Sequence, residues 1–196
     1  MIKAQNLYKS FNKTTALNDV SMKVYKGEFL VILGYSGSGK STLLNMIGGI
    51  DRLDSGEIIF KGKDIAKFKD RELTNYRKNS IGYIFQFFNL LNDLTVYQNI
   101  VISPSAIKDK KEIDKILEKV GLLEKKDSFP RQLSGGQQQR ASIARALSKE
   151  SDMILGDEPT GALDYESGKD VLRLLKEIHK EGRTIVMVTH TKEIAQ

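Results

Sequence analysis

With 196 residues, the chain can form one α/β domain with a real core, and it is too short for two large domains. An apolar fraction of 40% and a charged fraction of 29% are ordinary for a globular protein, and the absence of cysteine excludes a disulfide framework and any thiolate metal site, in agreement with a reducing compartment. The net charge of +6 comes from scattered lysines with no interleaved aromatic residues, the pattern of a solvated surface, so no nucleic-acid partner is expected.

Residues 1–11 alternate polar and apolar side chains and lack the apolar stretch of a signal peptide. Strands are expected at 2–9, 16–25 and 29–33, with Lys26-Gly27-Glu28 as the turn between the last two. A glycine-rich loop follows, then a helix to about Gly48. Residues 56–60 read as a strand, 61–63 as a turn, and 81–85 as an apolar strand. The block 87–150 is mainly helical, with Ile113, Ile116, Leu117 and Val120 at helical spacing. A buried strand at 153–155 precedes a helix over 165–180 with an apolar stripe of Val171, Leu174, Leu175 and Ile178. The β-branched run 184–188 fits a strand covered on both faces. Strand and helix alternate, which predicts an α/β fold with a mostly parallel sheet, interrupted by the helical block. The longest apolar runs are strand-sized, far short of the roughly 20 residues that span a bilayer, so a membrane role would need another component to hold the chain there.

The strongest local signal is Gly34-Tyr35-Ser36-Gly37-Ser38-Gly39-Lys40-Ser41, followed by Thr42, set between an apolar strand and a helix. In that setting glycines let the backbone turn its N–H groups inward onto phosphate oxygens, and the helix N-terminus adds positive potential. Lys40 is expected to reach the β- and γ-phosphates and Ser41 to ligate Mg²⁺. A second signal is the apolar run that ends in Asp157-Glu158 at the C-terminal edge of the sheet, where ligand sites of such sheets lie. Asp157 would hold Mg²⁺ through water, and Glu158 would polarise the attacking water. These two motifs define only a P-loop nucleotide-hydrolysing domain.

The third motif, Leu133-Ser134-Gly135-Gly136-Gln137-Gln138-Gln139-Arg140, opens a helix with a serine and two glycines and makes a second anion-binding helix terminus. This word resembles the signature motif of the ATPases of ABC transporters, and the resemblance extends over essentially the whole chain. It implies a RecA-like P-loop core at about 1–86 and 151–196, an antiparallel β part from the N-terminal strands, and an inserted helical subdomain at about 87–150. It also implies a head-to-tail dimer around two ATP molecules, in which Ser134, Gly135, Gly136 and Gln137 of one subunit cover the phosphates held by Lys40 of the other. Gln86 stands where the family senses Mg²⁺ and the attacking water, and His190 where it contacts the γ-phosphate. Asp164 stands in the loop that crosses the dimer interface. Phe11 has two readings: it stacks on adenine, or it is a core phenylalanine.

The words Phe85-Gln86-Phe87-Phe88-Asn89-Leu90-Leu91 and Asp157-Glu158-Pro159-Thr160-Gly161-Ala162-Leu163-Asp164 are similar to the lipoprotein-release, macrolide-export and peptide-antibiotic-resistance subgroup. Tyr35 departs from a frequent proline and Phe87 from a frequent second glutamine. The resemblance implies a separate transmembrane permease partner, docked near residues 86–95 at the cytoplasmic face of the membrane, and export or membrane extraction as the coupled process. Six residues follow His190, whereas the family domain continues for further strands and a helix, so its C-terminal end is expected to be missing. A soluble relative in DNA repair or translation would need a coiled-coil insertion or a second ATPase domain. A regulatory module of the cell-division kind would share the partner class but not need Glu158 and His190. A P-loop kinase or GTPase would not need residues 133–140.

Overall fold

A computed structural model of the chain describes residues 1–103 and 105–191. Its centre is a four-stranded parallel sheet built from β3 (Phe29–Leu33), β6 (Ile81–Ile84), β7 (Met153–Asp157) and β8 (Thr184–Thr189), in the order β3-β8-β7-β6. Apolar residues run almost without interruption through these strands because both faces are covered. Alternate side chains enter two separate cores: Ile154, Ile185 and Met187 point one way, while Met153, Leu155, Val186 and Val188 point the other.

On the second of those faces lie α1 (Lys40–Ile47) and an antiparallel sheet of β1 (Ile2–Phe11), β2 (Thr14–Val24), β4 (Ser55–Phe60) and β5 (Lys63–Asp64), in the order β2-β1-β4-β5. The β1–β2 hairpin is tighter than expected: its strands approach to Phe11 and Thr14, and Asn12 takes a left-handed φ of 54° in the turn. The other face packs against α5 (Gly135–Leu147) and α6 (Tyr165–Lys180), whose Val171, Leu174, Leu175 and Ile178 are the expected buried stripe.

One helix was not expected. Residues Asp70–Ser80 form α2, which buries only Leu73, Tyr76 and Ser80. Its first turn carries Asp70 and Glu72 and its last turn Arg77 and Lys78, which complement the helix dipole. Tyr76 donates from its hydroxyl to the carbonyl of Ile47 at 2.8 Å and ties α2 to α1. Between β6 and β7 the described residues form α3 (Val96–Val101), α4 (Lys110–Lys119), two short 3₁₀ turns and α5, while residues 85–95 ahead of α3 are turns and irregular chain.

Candidate functional site

The C-terminal ends of β3, β6, β7 and β8 open on one side of the parallel sheet, and six of the polar residues singled out in sequence gather there. The loop 34–39 leaves β3 and enters α1 through Gly39, whose φ of +87° is left-handed. A methyl group on Gly39 would collide with the carbonyl oxygen of Ala16, so this position excludes every other residue. A methyl on Gly34 would stand 2.7 Å from the Ser38 hydroxyl oxygen and fill the hollow of the loop. No side chain caps the N-terminus of α1, so its first N–H groups point into that hollow uncapped. Lys40 is buried at 7% exposure and folds back over the loop, donating from Nζ to the carbonyls of Gly34 and Tyr35, each at 2.8 Å. An ammonium has three hydrogens, so one donor is left for a ligand. Ser36, Gly37 and Ser38 are exposed on the loop, Tyr35 is 87% exposed at its crest, and Thr42 is half-buried in the first turn of α1.

Two side-chain pairs lie beside this loop. Ser41 donates from Oγ to Asp157 Oδ1 at 2.7 Å, joining α1 to the end of β7. Burial pushes the Asp157 carboxyl above the usual range and the Glu158 charge adds to this, while the Ser41 hydrogen bond and the Lys40 charge partly oppose it. Glu158 is held with a left-handed φ of 46°, a conformation that costs a non-glycine residue roughly 1–3 kcal/mol. Its N–H donates to the carbonyl of Val188 at 3.0 Å. His190 donates from Nδ1 to Glu158 Oε2 at 2.6 Å; an ionised carboxylate can only accept, which assigns the hydrogen to Nδ1. Gln86 completes the group: a methyl on Gly161 would lie 3.0 Å from Gln86 Nε2 and 3.1 Å from Glu158 Oε2, so the glycine leaves room for both side chains.

The structure therefore brings Lys40, Ser41, Gln86, Asp157, Glu158 and His190 together. The signature residues stand apart from them. Ser134 caps α5, accepting from the N–H of Gln137 at 3.3 Å, while Gln137 Oε1 accepts from the N–H of Ser134 at 2.9 Å. Gly136 packs on Ser167 of α6, and Gly135 faces Leu163 and Phe88. Among the described residues no side-chain hydrogen bond links 134–137 to the loop 34–41. Asp164 caps α6, accepting from the N–H of Ser167 at 3.0 Å, a bond that holds its carboxyl below the usual range. A cleft of about 280 Å³ opens between Thr160, Asp164, Lys169 and His190. Phe11 is 46% exposed with Lys9 Nζ 5.1 Å from its ring centroid, so it is not a core residue.

Two residues of α5 make contacts that the sequence reading did not assign, Gln139 within the third motif and Arg145 beyond it. Gln139 is fully buried, donating from Nε2 to the carbonyls of Pro159 at 2.6 Å and Phe85 at 3.3 Å, and its Oε1 has no partner among the described residues. Arg145 donates to the carbonyls of Asn89 at 2.6 Å and Phe88 at 3.1 Å. Only their place on the helix that starts at Ser134 hinted at either.

A phosphate-cradling loop after β3 at the C-terminal edge of a parallel sheet, with paired carboxylates at the end of β7, two strands across in the order β3-β8-β7, defines a P-loop nucleotide-binding domain. The family model described as "ABC transporter" matches residues 17–161. The chain belongs to that family. It is 46% identical over 188 residues to a macrolide export ATP-binding/permease protein, MacB, of Bartonella henselae; the match covers 93% of this chain and 28% of that one. The chain thus spans less than a third of that relative. It is 44% identical to the bacitracin export ATP-binding protein BceA of Halalkalibacterium halodurans, covering 97% of this chain and 79% of that one. Among solved structures it resembles the dimeric, post-hydrolysis ATP-binding cassette MJ0796 bound to ADP and Pi, with a TM-score of 0.87 and 38% identity, covering 100% of this chain and 90% of the other. No helix among the described residues is long and apolar enough to cross a membrane.

Proposed function

We propose that this chain is the ATP-binding and ATP-hydrolysing part of an export or membrane-extraction system for a lipophilic or peptide substrate, working as a homodimer around two ATP molecules. A transmembrane permease partner would hold it at the cytoplasmic face of the membrane. The names and cargo of the relatives support the export reading. The observation that carries the proposal is the separation of two anion-binding elements. Lys40 and the loop lie with the carboxylates, while among the described residues the capped N-terminus of α5 makes no side-chain bond to them, so a second copy would close the site.

In this reading residues 34–42 bind the phosphates and Phe11 offers its exposed face to the base. The residues fit a divalent cation: the Ser41 and Asp157 oxygens converge at 2.7 Å, and Asp157 is a half-buried carboxylate that its own neighbours only partly compensate. Ser41, Asp157 through water, and Gln86 would hold Mg²⁺, which when bound neutralises charge across the phosphates. Glu158 orients the attacking water, and His190 fixes the Glu158 rotamer and presents its other ring nitrogen to the γ-phosphate. Lys40 neutralises the charge that develops on the transferred phosphoryl group. Ser134, Gly135, Gly136 and Gln137, with Asp164, would meet the partner subunit's nucleotide. The helical stretch 87–150 would carry that signature and the permease-docking segment as a subdomain.

Steady-state hydrolysis of ATP by the wild type and by Glu158→Gln tests the chemistry. Binding retained with turnover lost supports it; normal turnover by Glu158→Gln refutes the role of Glu158.

A further inference from the structure

The segment after Gln86 is under local strain. Phe88 and Asn89 have left-handed φ values of 59° and 50°, successive and neither a glycine. The N–H of Asn89 closes a three-residue turn around Phe88 onto the carbonyl of Phe87 at 2.5 Å, and Phe87, at the start of the turn, is 72% exposed. Such a turn persists only where its surroundings impose it. Here α5 imposes it from both sides of Gln86: Gln139 donates to the carbonyl of Phe85, and Arg145 places its two terminal nitrogens on the carbonyls of Phe88 and Asn89.

We propose that Arg145 is a positioning residue whose guanidinium fork, with Gln139, brackets the strained turn and fixes Gln86 and the exposed Phe87 to the helix that begins at Ser134. The choice of arginine follows from the geometry. One rigid fork satisfies two successive carbonyls and cannot lose its proton, whereas an ammonium is a point charge that matches one of them well. Among the described residues Arg145 has no ion-pair partner, so its charge is directed at the turn. Burial disfavours the charged guanidinium, a cost that an ordinary surface arginine avoids. The catalytic consequence rests on the role proposed above for Gln86; the bracket itself does not.

Lys149 supplies the control. It sits just past α5, is disfavoured by burial and by Arg145, and donates to the carbonyls of Arg77 at 2.9 Å and Ile81 at 2.7 Å, away from the turn. Arg145→Met and Lys149→Met are compared by ATP kinetics, thermal melting and amide hydrogen exchange. Arg145→Met is expected to lower kcat about tenfold with KM for ATP within about twofold, and to speed exchange at residues 86–91 alone. Lys149→Met is expected to lose comparable thermal stability while keeping kcat within about twofold. Arg145→Lys should fall between the wild type and Arg145→Met, and it carries the comparison should the methionine variant not fold. Equal falls in kcat for the two methionine variants, or unchanged exchange at 86–91 in Arg145→Met, would overturn the proposal. A wild type without hydrolysis would sink the proposed function; the bracket would then stand or fall on the exchange result alone.

Discussion

Gly135 and Gly136 occupy the same first turn of α5, yet alanine should shift stability in opposite directions at the two positions. Replacing glycine by alanine in a helix normally stabilises it by roughly 0.5–1 kcal/mol, because the unfolded chain loses freedom. At Gly135 the added methyl would lie 3.5 Å from Leu163 Cδ2 and 3.7 Å from Phe88 Cζ, ordinary contact distances, so the gain survives. At Gly136 the methyl would stand 2.9 Å from Ser167 Oγ and 3.0 Å from Ser167 Cβ. The hydroxyl can rotate, but Cβ is fixed to the backbone of α6, so the two helices must part. Overpacking of this kind costs about 1–3 kcal/mol, which exceeds the propensity gain. For a domain this size each kcal/mol moves the melting temperature by about 2–4 °C. Calorimetric melting of the two variants without nucleotide should therefore show Gly135→Ala at or above the wild type and Gly136→Ala several degrees below it. Shifts of the same sign and size would refute the α5–α6 packing at the signature helix.

Lys40→Ala removes the ammonium donor folded over the loop, and calorimetric titration should show ATP affinity falling by roughly 10- to 150-fold, in line with a lost charge-assisted contact. Asp157→Asn should raise the melting temperature of the nucleotide-free protein while abolishing metal-dependent turnover. The sign follows from its raised folded pKa: the wild-type protein is relatively favoured at pH below that value and loses the advantage as pH rises through it, so the gain from asparagine grows from acidic to neutral pH. Ser134→Ala removes the cap of α5 and should lower stability by about 1 kcal/mol, read as a shift in urea midpoint with an unchanged slope.

The parallel sheet was legible because packing on both faces leaves its mark directly on composition: the apolar run at 184–188 is the fully buried strand β8, and that at 29–33 is the half-buried strand β3. The phosphate loop was legible for a related reason, since the glycine at 39 answers a conformation no other residue tolerates. Helix α2 was not, because nearly all its residues are polar and its place is set by Tyr76 reaching the carbonyl of Ile47, a contact made only in the folded protein. Gln139 and Arg145 stayed hidden for the same reason. Their partners are backbone carbonyls of distant residues, which leave no trace in residue type.

The separation of Ser134 from Lys40 within one chain is the foundation of the account, and the mass of Glu158→Gln in solution, with and without ATP and Mg²⁺, tests it most directly. The account predicts a monomer without nucleotide and a dimer once both are added. A protein that binds ATP and remains a monomer would contradict it.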